Sequence, residues 1–260
     1  MIVRKSIFIT GAASGMGRET ALLFASKGWF VGAYDVNQPA LDTLAAEIGA
    51  GNGQFEELDV TDPAAFERAM KAFGEATDGK LDMMFNNAGI GAGGLLDEQP
   101  WEDLKRIIDV NLYGVIIGAR LSIPLLRVTP GSLLLNMSSS SAIFGTAGIS
   151  IYSATKHAVR GLTEALSIEL KRFGVRAADL LPGLIDTPLL SDQVRGMAPA
   201  EGMWRLIPPA DVAKAVWQAY HSDKLHWYIP EELREFHAQV VSQPEQVREE
   251  RTELLAAMLG

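Results

Sequence analysis

Short β-branched runs alternate with longer stretches of helical periodicity from residue 6 to about residue 182, and a glycine-rich turn joins the first pair. The pattern predicts strands at 6–10, 30–34, 54–58, 81–85, 132–136 and 175–181. It predicts helices at 17–27, 39–48, 63–76, 101–126 and 151–172, with the long fourth helix interrupted near Pro124. Strand–helix alternation at this spacing implies right-handed βαβ crossovers. The expected fold is therefore α/β, a doubly wound (Rossmann) parallel sheet with helices on both faces.

No Pro/Ser/Gly-rich linker of domain-joining length breaks the 260 residues, so a single dinucleotide-binding and catalytic domain over 1–260 is expected. The tail differs from the repeat. A helix is expected at 209–221, a last strand at 226–229, and two amphipathic helices within about 230–260. Leu254, Leu255, Met258 and Leu259 would make an apolar stripe on the final helix. That stripe reads as packing on the chain's own core, with a subunit contact or a cover over the pocket as the alternative.

Net charge is −9, which argues against nucleic acid or an anionic membrane surface as the main partner. No uninterrupted run of 18 apolar residues is present, so no membrane span is expected. The first residues lack the layout of a signal peptide, and with no cysteine in the chain a cytoplasmic location is expected. Thiolate zinc sites and cysteine nucleophiles are excluded. His221 and His226 are five apart with no third ligand at obvious spacing. They read as ordinary surface or helix-end residues, and no metal site is expected.

Gly11, Ser14, Gly15, Met16 and Gly17 lie in the turn between the first strand and helix. Glycines there permit tight turning and close approach of a ligand. The helix N-terminus behind them suits a pyrophosphate. Asp35, at the end of the second strand, can accept both hydroxyls of an adenosine ribose and would repel a 2′-phosphate. No arginine neighbours it in Val36-Asn37, so NAD(H) is favoured over NADP(H). Tyr152 and Lys156, four apart on a predicted helix, share one face. An ammonium beside a phenol stabilises the phenolate, which makes the pair a general acid/base. Ser139, at the end of the fifth strand, can bond a substrate oxygen, with Ser138, Ser140 and Ser141 as alternates.

The glycine spacing G-x-x-x-G-x-G, then Asn86-Asn87-Ala88-Gly89, then Tyr152-x-x-x-Lys156 with Ser139 thirteen residues before the tyrosine, resembles the short-chain dehydrogenase/reductase family. Pro182-Gly183 followed by Thr187-Pro188 extends the resemblance, which spans residues 10–188. It implies an NAD-dependent alcohol dehydrogenase/ketone reductase acting on a small secondary alcohol or ketone. It selects Ser139, with Ser141 at the pocket edge. It makes Asn111 the residue of a locally distorted helix that holds a water linking Lys156 to solvent. It also implies that Asp59 and Val60 border the adenine, that Asn87, Ala88 and Gly89 line the cofactor floor, and that Ile185 and Thr187 hold the carboxamide.

The substrate side is expected from loops beyond the strand ends: Ile90, Ile143, Phe144, Ile149, Leu184, Leu189 and Leu190, with a lid at about 187–208 containing Met203, Trp204, Leu206 and Ile207. Such a segment suits a hydrophobic substrate and could equally be a helix packed on its neighbours. The rivals are an epimerase or dehydratase using the same Tyr/Lys pair and a non-catalytic NAD-binding scaffold or sensor. The resemblance implies a homodimer or homotetramer. Where family members carry a glycine-rich segment after the last strand, this chain has charged helices. The two long helices can still pair across a two-fold axis, which makes a homodimer the minimum.

Overall fold

The computed structural model describes residues 4–91 and 93–259, with side chains through residue 256. Seven parallel strands form one sheet in the order β3-β2-β1-β4-β5-β6-β7. They are β1 (Ser6–Thr10), β2 (Phe30–Asp35), β3 (Gly53–Glu57), β4 (Met83–Asn86), β5 (Leu133–Met137), β6 (Arg176–Pro182) and β7 (His226–Ile229). The strand order reverses between β1 and β4, and a crevice opens there beyond the carboxyl ends of the strands. β1, β4 and β5 are buried along their whole length, as a sheet covered on both faces requires.

One helical layer is α1 (Gly15–Ser26), α2 (Gln38–Ile48) and α8 (Pro209–Tyr220). The other is α3 (Pro63–Ala76), α4 (Trp101–Ile108), α5 (Gly114–Leu126) and α6 (Ser150–Glu169). Local chemistry sets the starts. Asp62 accepts the N–H groups of Ala64 and Ala65, with Pro63 in the first turn of α3. Asn37 accepts the Ala40 N–H to open α2.

The expected break near Pro124 is not found. Pro124 lies inside α5, and the interruption is a π turn over Asp109–Tyr113 that joins α4 to α5. The wider turn carries Asn111 fully into the interior. The stretch Trp101–Leu126 has the length and mean hydropathy, 1.4, of a membrane span. Here the π turn divides it, and Leu104, Ile107, Val115, Ile117 and Leu126 are buried in the fold.

The tail forms α9 (Leu233–Ser242) and α10 (Pro244–Leu259). On the expected stripe Leu254 is 54% exposed, so it does not pack on the chain's own core; the side chains of Met258 and Leu259 lie outside the described residues. The expected lid is not one long helix. It has only the short α7 (Asp192–Met197), and its base is closed by a bridge between Ile185 and Ile207.

His226 is not an ordinary surface residue. Its Nδ1 lies 2.7 Å from Asp179 Oδ1, and Asp179 is fully buried in β6. Burial pushes the Asp179 carboxyl up, and His226 pulls it back.

Close packing against β4 generates a test. A Cβ on Gly118 of α5 would lie 2.1 Å from Asn86 Oδ1 and 3.0 Å from Phe66 Cζ. Asn86 is committed to Asn136 Oδ1 at 2.9 Å and cannot withdraw freely. Gly118→Ala is expected to destabilise the protein by about 1–3 kcal/mol in urea unfolding.

Candidate active site

β1 ends at Thr10, and its hydroxyl accepts the N–H groups of both Asn87 and Ala88 at 3.1 Å. The Asn87 amide donates to the carbonyls of Thr10 (2.9 Å) and Gly11 (3.0 Å). These bonds tie the end of β4 to the glycine turn across the crevice. Thr10 was not singled out by sequence reasoning; its place at the strand end, level with Asn86-Asn87-Ala88-Gly89, is the only signal for it.

Two glycines of the turn need their type. Gly11 has φ +67°, and a Cβ at Gly17 would stand 2.1 Å from the Gly11 carbonyl oxygen. Ser14 caps α1 with extended backbone and no side-chain cap bond, so its hydroxyl is not used by the helix. Met16 packs its side chain into the core beneath the turn. Asp35 accepts the Ala13 N–H at 3.0 Å on one oxygen and the Asn37 N–H at 3.1 Å on the other. The carboxylate is thereby aimed beside the turn. Asp59 is held by the N–H and hydroxyl of Thr61, and Val60 is buried against Gly114.

On the far wall, Lys156 is 2% exposed, and its ammonium donates to the Met137 carbonyl at the end of β5 at 2.9 Å. Desolvation pushes it down to about 8. Its Nζ lies 5.4 Å from the centre of the Tyr152 ring. From the sequence, that ammonium is expected to depress the phenol. The structure gives the opposite direction: burial pushes Tyr152 up, and Ser139 alone pulls it back. The lysine still carries its charge at neutral pH, but at the phenol the cost of burial wins.

Among the serines, Ser138 is turned away and donates to the Lys156 carbonyl at 3.0 Å. Ser139 faces Tyr152 and is fixed by the Ser141 N–H at 3.1 Å. The Ser141 hydroxyl is buried without a partner among the described residues. Asn111 clasps the backbone of Ile90, accepting its N–H and donating to its carbonyl at 2.8 Å each. A Cβ on Gly89 would meet Asn111 Oδ1 at 3.3 Å and Lys156 Nζ at 3.6 Å, so Gly89 adjoins both.

β6 delivers Pro182 and Gly183 to the same crevice. Ile185 is buried and bridged to Ile207, and a Cβ on Gly15 would lie 2.9 Å from Thr187 Cγ2. The loop after β6 thus leans over the glycine turn. The turn, the end of β4, the Tyr152–Lys156 pair and the start of the loop after β6 are linked by these contacts, while Asp35 stands beside the turn at the end of β2 and Asp59 and Val60 follow β3.

A model of the short chain dehydrogenase family matches residues 5–198. The chain belongs to that family. A cyclohexanol dehydrogenase from Acinetobacter sp. (strain SE19) is 35% identical over 216 residues, covering 82% of this chain and 86% of that protein. A short-chain dehydrogenase/reductase from Burkholderia phymatum, solved with NAD, superposes with a TM-score of 0.81 at 28% identity over 94% of this chain and 97% of its own. A 3-ketoacyl-(acyl-carrier-protein) reductase from Brucella melitensis, solved with NADH, gives 0.78 at 31% identity over 86% and 96%. The fold and the oxidoreductase class follow from these matches.

The buried ammonium makes a stability prediction for the cofactor-free protein. Below pH 8 Lys156 is charged both folded and unfolded, and the fold carries the full cost of desolvating it. From pH 8 to the ordinary lysine value of 10.5 only the unfolded chain holds the proton, so stability rises across that window. Lys156→Met is expected to stabilise the protein at pH 7 by on the order of 1–2 kcal/mol. The difference from wild type should shrink as thermal unfolding is followed from pH 8 to pH 10.

Proposed function

We propose that this chain transfers a hydride between NAD(H) and a secondary alcohol or ketone, with a hydrophobic small molecule as substrate. The observation that carries the reading is the convergence of Tyr152, Ser139 and buried Lys156 on the crevice that the glycine turn opens into. The chain acts as one catalytic domain.

The residues present fit a dinucleotide. The turn has a helix N-terminus free of a side-chain cap, and Asn87 Oδ1 is buried without a partner among the described residues. Gly11, Ser14, Gly15, Met16 and Gly17 would hold the pyrophosphate side, Asp35 the adenosine ribose, and Asp59 and Val60 the adenine rim. Asn87, Ala88, Gly89, Pro182 and Gly183 would form the floor and wall, and Ile185 and Thr187 would hold the carboxamide. The nicotinamide, when bound, supplies the hydride chemistry. The chain's own residues handle the proton. Tyr152 takes it from the substrate hydroxyl at its phenolic oxygen, and Ser139 steadies the charge on the substrate oxygen. Lys156 stabilises the phenolate and, with the Asn111 region, passes the proton toward solvent. Burial pushes the phenol up before binding, and the Ser139 hydroxyl pulls it back toward the range of a base.

Asp35 supports NAD(H): both oxygens are oriented by backbone N–H groups beside the turn, and neighbouring Val36 is an exposed apolar residue rather than a cation. The name of the Acinetobacter relative, a cyclohexanol dehydrogenase, and the apolar character of the packed segments just beyond Ser139 and Gly183, with Ile143, Phe144, Met203 and Trp204, support a cyclic secondary alcohol. Exposed Ile108, Tyr113, Ile116 and Ile168 on the α4–α5 and α6 surfaces support a homodimer or homotetramer. A cytoplasmic location completes the reading.

A panel of secondary alcohols that includes cyclohexanol, followed by NADH absorbance, should show net turnover. Tyr152→Phe should lower kcat by about 10²–10⁴-fold with the cofactor Kd little changed. Turnover of the Tyr152→Phe protein at the wild-type rate overturns the assignment, and binding without any turnover in wild type leaves a sensor or scaffold. Separately, Asp35→Ala with Val36→Arg is expected to move the NADPH/NADH preference by more than roughly tenfold toward NADPH. An unchanged ratio of the two kcat/KM values would remove Asp35 from the ribose.

A further inference from the structure

The substrate side of the crevice is finished by the tail, and one residue of α10 stands at the centre of that contact. A third core cluster joins Ala142 and Ile143, just beyond Ser139, to Leu233 and Phe236 of α9 and Val247 of α10, with Met203 and Trp204 of the lid packed against it. The same lid segment borders the crevice, since a Cβ on Gly183 would lie 3.5 Å from the Met203 carbonyl. Trp204 meets Phe236 edge to face, with ring centres 5.4 Å apart. The Arg251 guanidinium covers both rings, 4.7 Å from the centre of Trp204 and 5.1 Å from that of Phe236. Burial pushes this guanidinium below its ordinary range, which fits a cation seated on rings. A second fastening lies at the surface: Arg205 donates to Glu232 at 2.8 Å and to the Gly202 carbonyl at 2.8 Å.

Residues 198–206 have no regular secondary structure. Few backbone bonds hold such a loop, here those of Ala198 to Arg195 and Arg205 to Gly202, so its conformation depends on side-chain contacts such as the stack of Trp204, Phe236 and Arg251. We propose that Arg251 is a positioning residue for the substrate wall: seated on Trp204 and Phe236, it holds the 198–206 loop closed and thereby sets the acceptance of bulky cyclic alcohols. The inference rests on the reading of residues 187–208 as the segment over the substrate pocket. Arg251 touches no reacting atom, so its removal alters the fit of substrate rather than the proton chemistry at Tyr152.

Hydrogen exchange of the cofactor-free full chain tests the clamp without turnover, so its failure is distinct from failure of the enzymatic reading. Arg251→Met, which keeps an apolar stem, should speed exchange in peptides spanning 198–206 by roughly three- to tenfold while the glycine turn is unchanged. Arg251→Lys should restore part of the protection. Trp204→Leu should loosen the loop similarly, and adding Arg251→Met to it should give no further loss. Unchanged loop exchange in Arg251→Met overturns the proposal. So does an additional loss of protection in the 198–206 loop of the double variant. In assays, Arg251→Met should raise KM for cyclohexanol by roughly three- to tenfold with kcat within about twofold, and a fall in kcat at constant KM contradicts it.

Discussion

Lys156 carries an ammonium into the wall between β5 and α6, where the Met137 carbonyl is its bonded protein acceptor. An ion this dry is tolerable only if the surrounding architecture is rigid and its other donors are kept for a ligand. The architecture supplies the rigidity from several directions. Ser138 ties the end of β5 to the backbone of Lys156 itself. Asn111, turned inward by the π turn, fixes Ile90 and adjoins Gly89 beside the ammonium. Thr10 and Asn87 lock the opposite wall. Catalysis depends on this positioning more than on any unusual acidity of the phenol itself, because burial pushes the phenol up and the ammonium down.

The sheet carries a second polar theme that the crevice does not use. Asn86, Asn136, Asp179 and His226 stand at matching positions on β4, β5, β6 and β7. Asn86 bonds Asn136, and Asn136 bonds Thr163 of α6. Asp179 bonds His226, which also approaches Glu164 of α6 at 3.4 Å. This row pins α6, the helix of Tyr152 and Lys156, to the strands beneath it. It is expensive in desolvation and specific in direction, as buried polar networks are.

Much of this was legible in the sequence, for identifiable reasons. The α3 boundaries follow from Asp62 and Pro63, which fix a helix start locally. The crevice residues from Gly11 to Thr187 were legible because their order along the chain mirrors the strand ends that a doubly wound sheet brings together. What escaped is tertiary. Pro124 is the obvious helix breaker, yet the break is at Asp109–Tyr113, where the family resemblance, but no local signal, put a distorted helix at Asn111; the turn is stabilised by the bonds of Asn111 across space to Ile90. His226 looked like a surface residue because its partner Asp179 is 47 positions away. The direction of the Tyr152 shift depends on how much water the folded crevice excludes. Residues 198–206 carry no local signal for their conformation, which is set by Phe236 and Arg251 from the tail.

The ammonium beside Tyr152 is held in a dry wall, and titrating it is the most direct measurement of that central property. In protein carrying 13C at the lysine ε-carbons, with the signal assigned by its loss in Lys156→Met, the Lys156 resonance should titrate with a midpoint at about 8 when no cofactor is present. A midpoint at the ordinary lysine value of 10.5 would mean that water reaches the ammonium, and a dry wall behind Tyr152 would be contradicted.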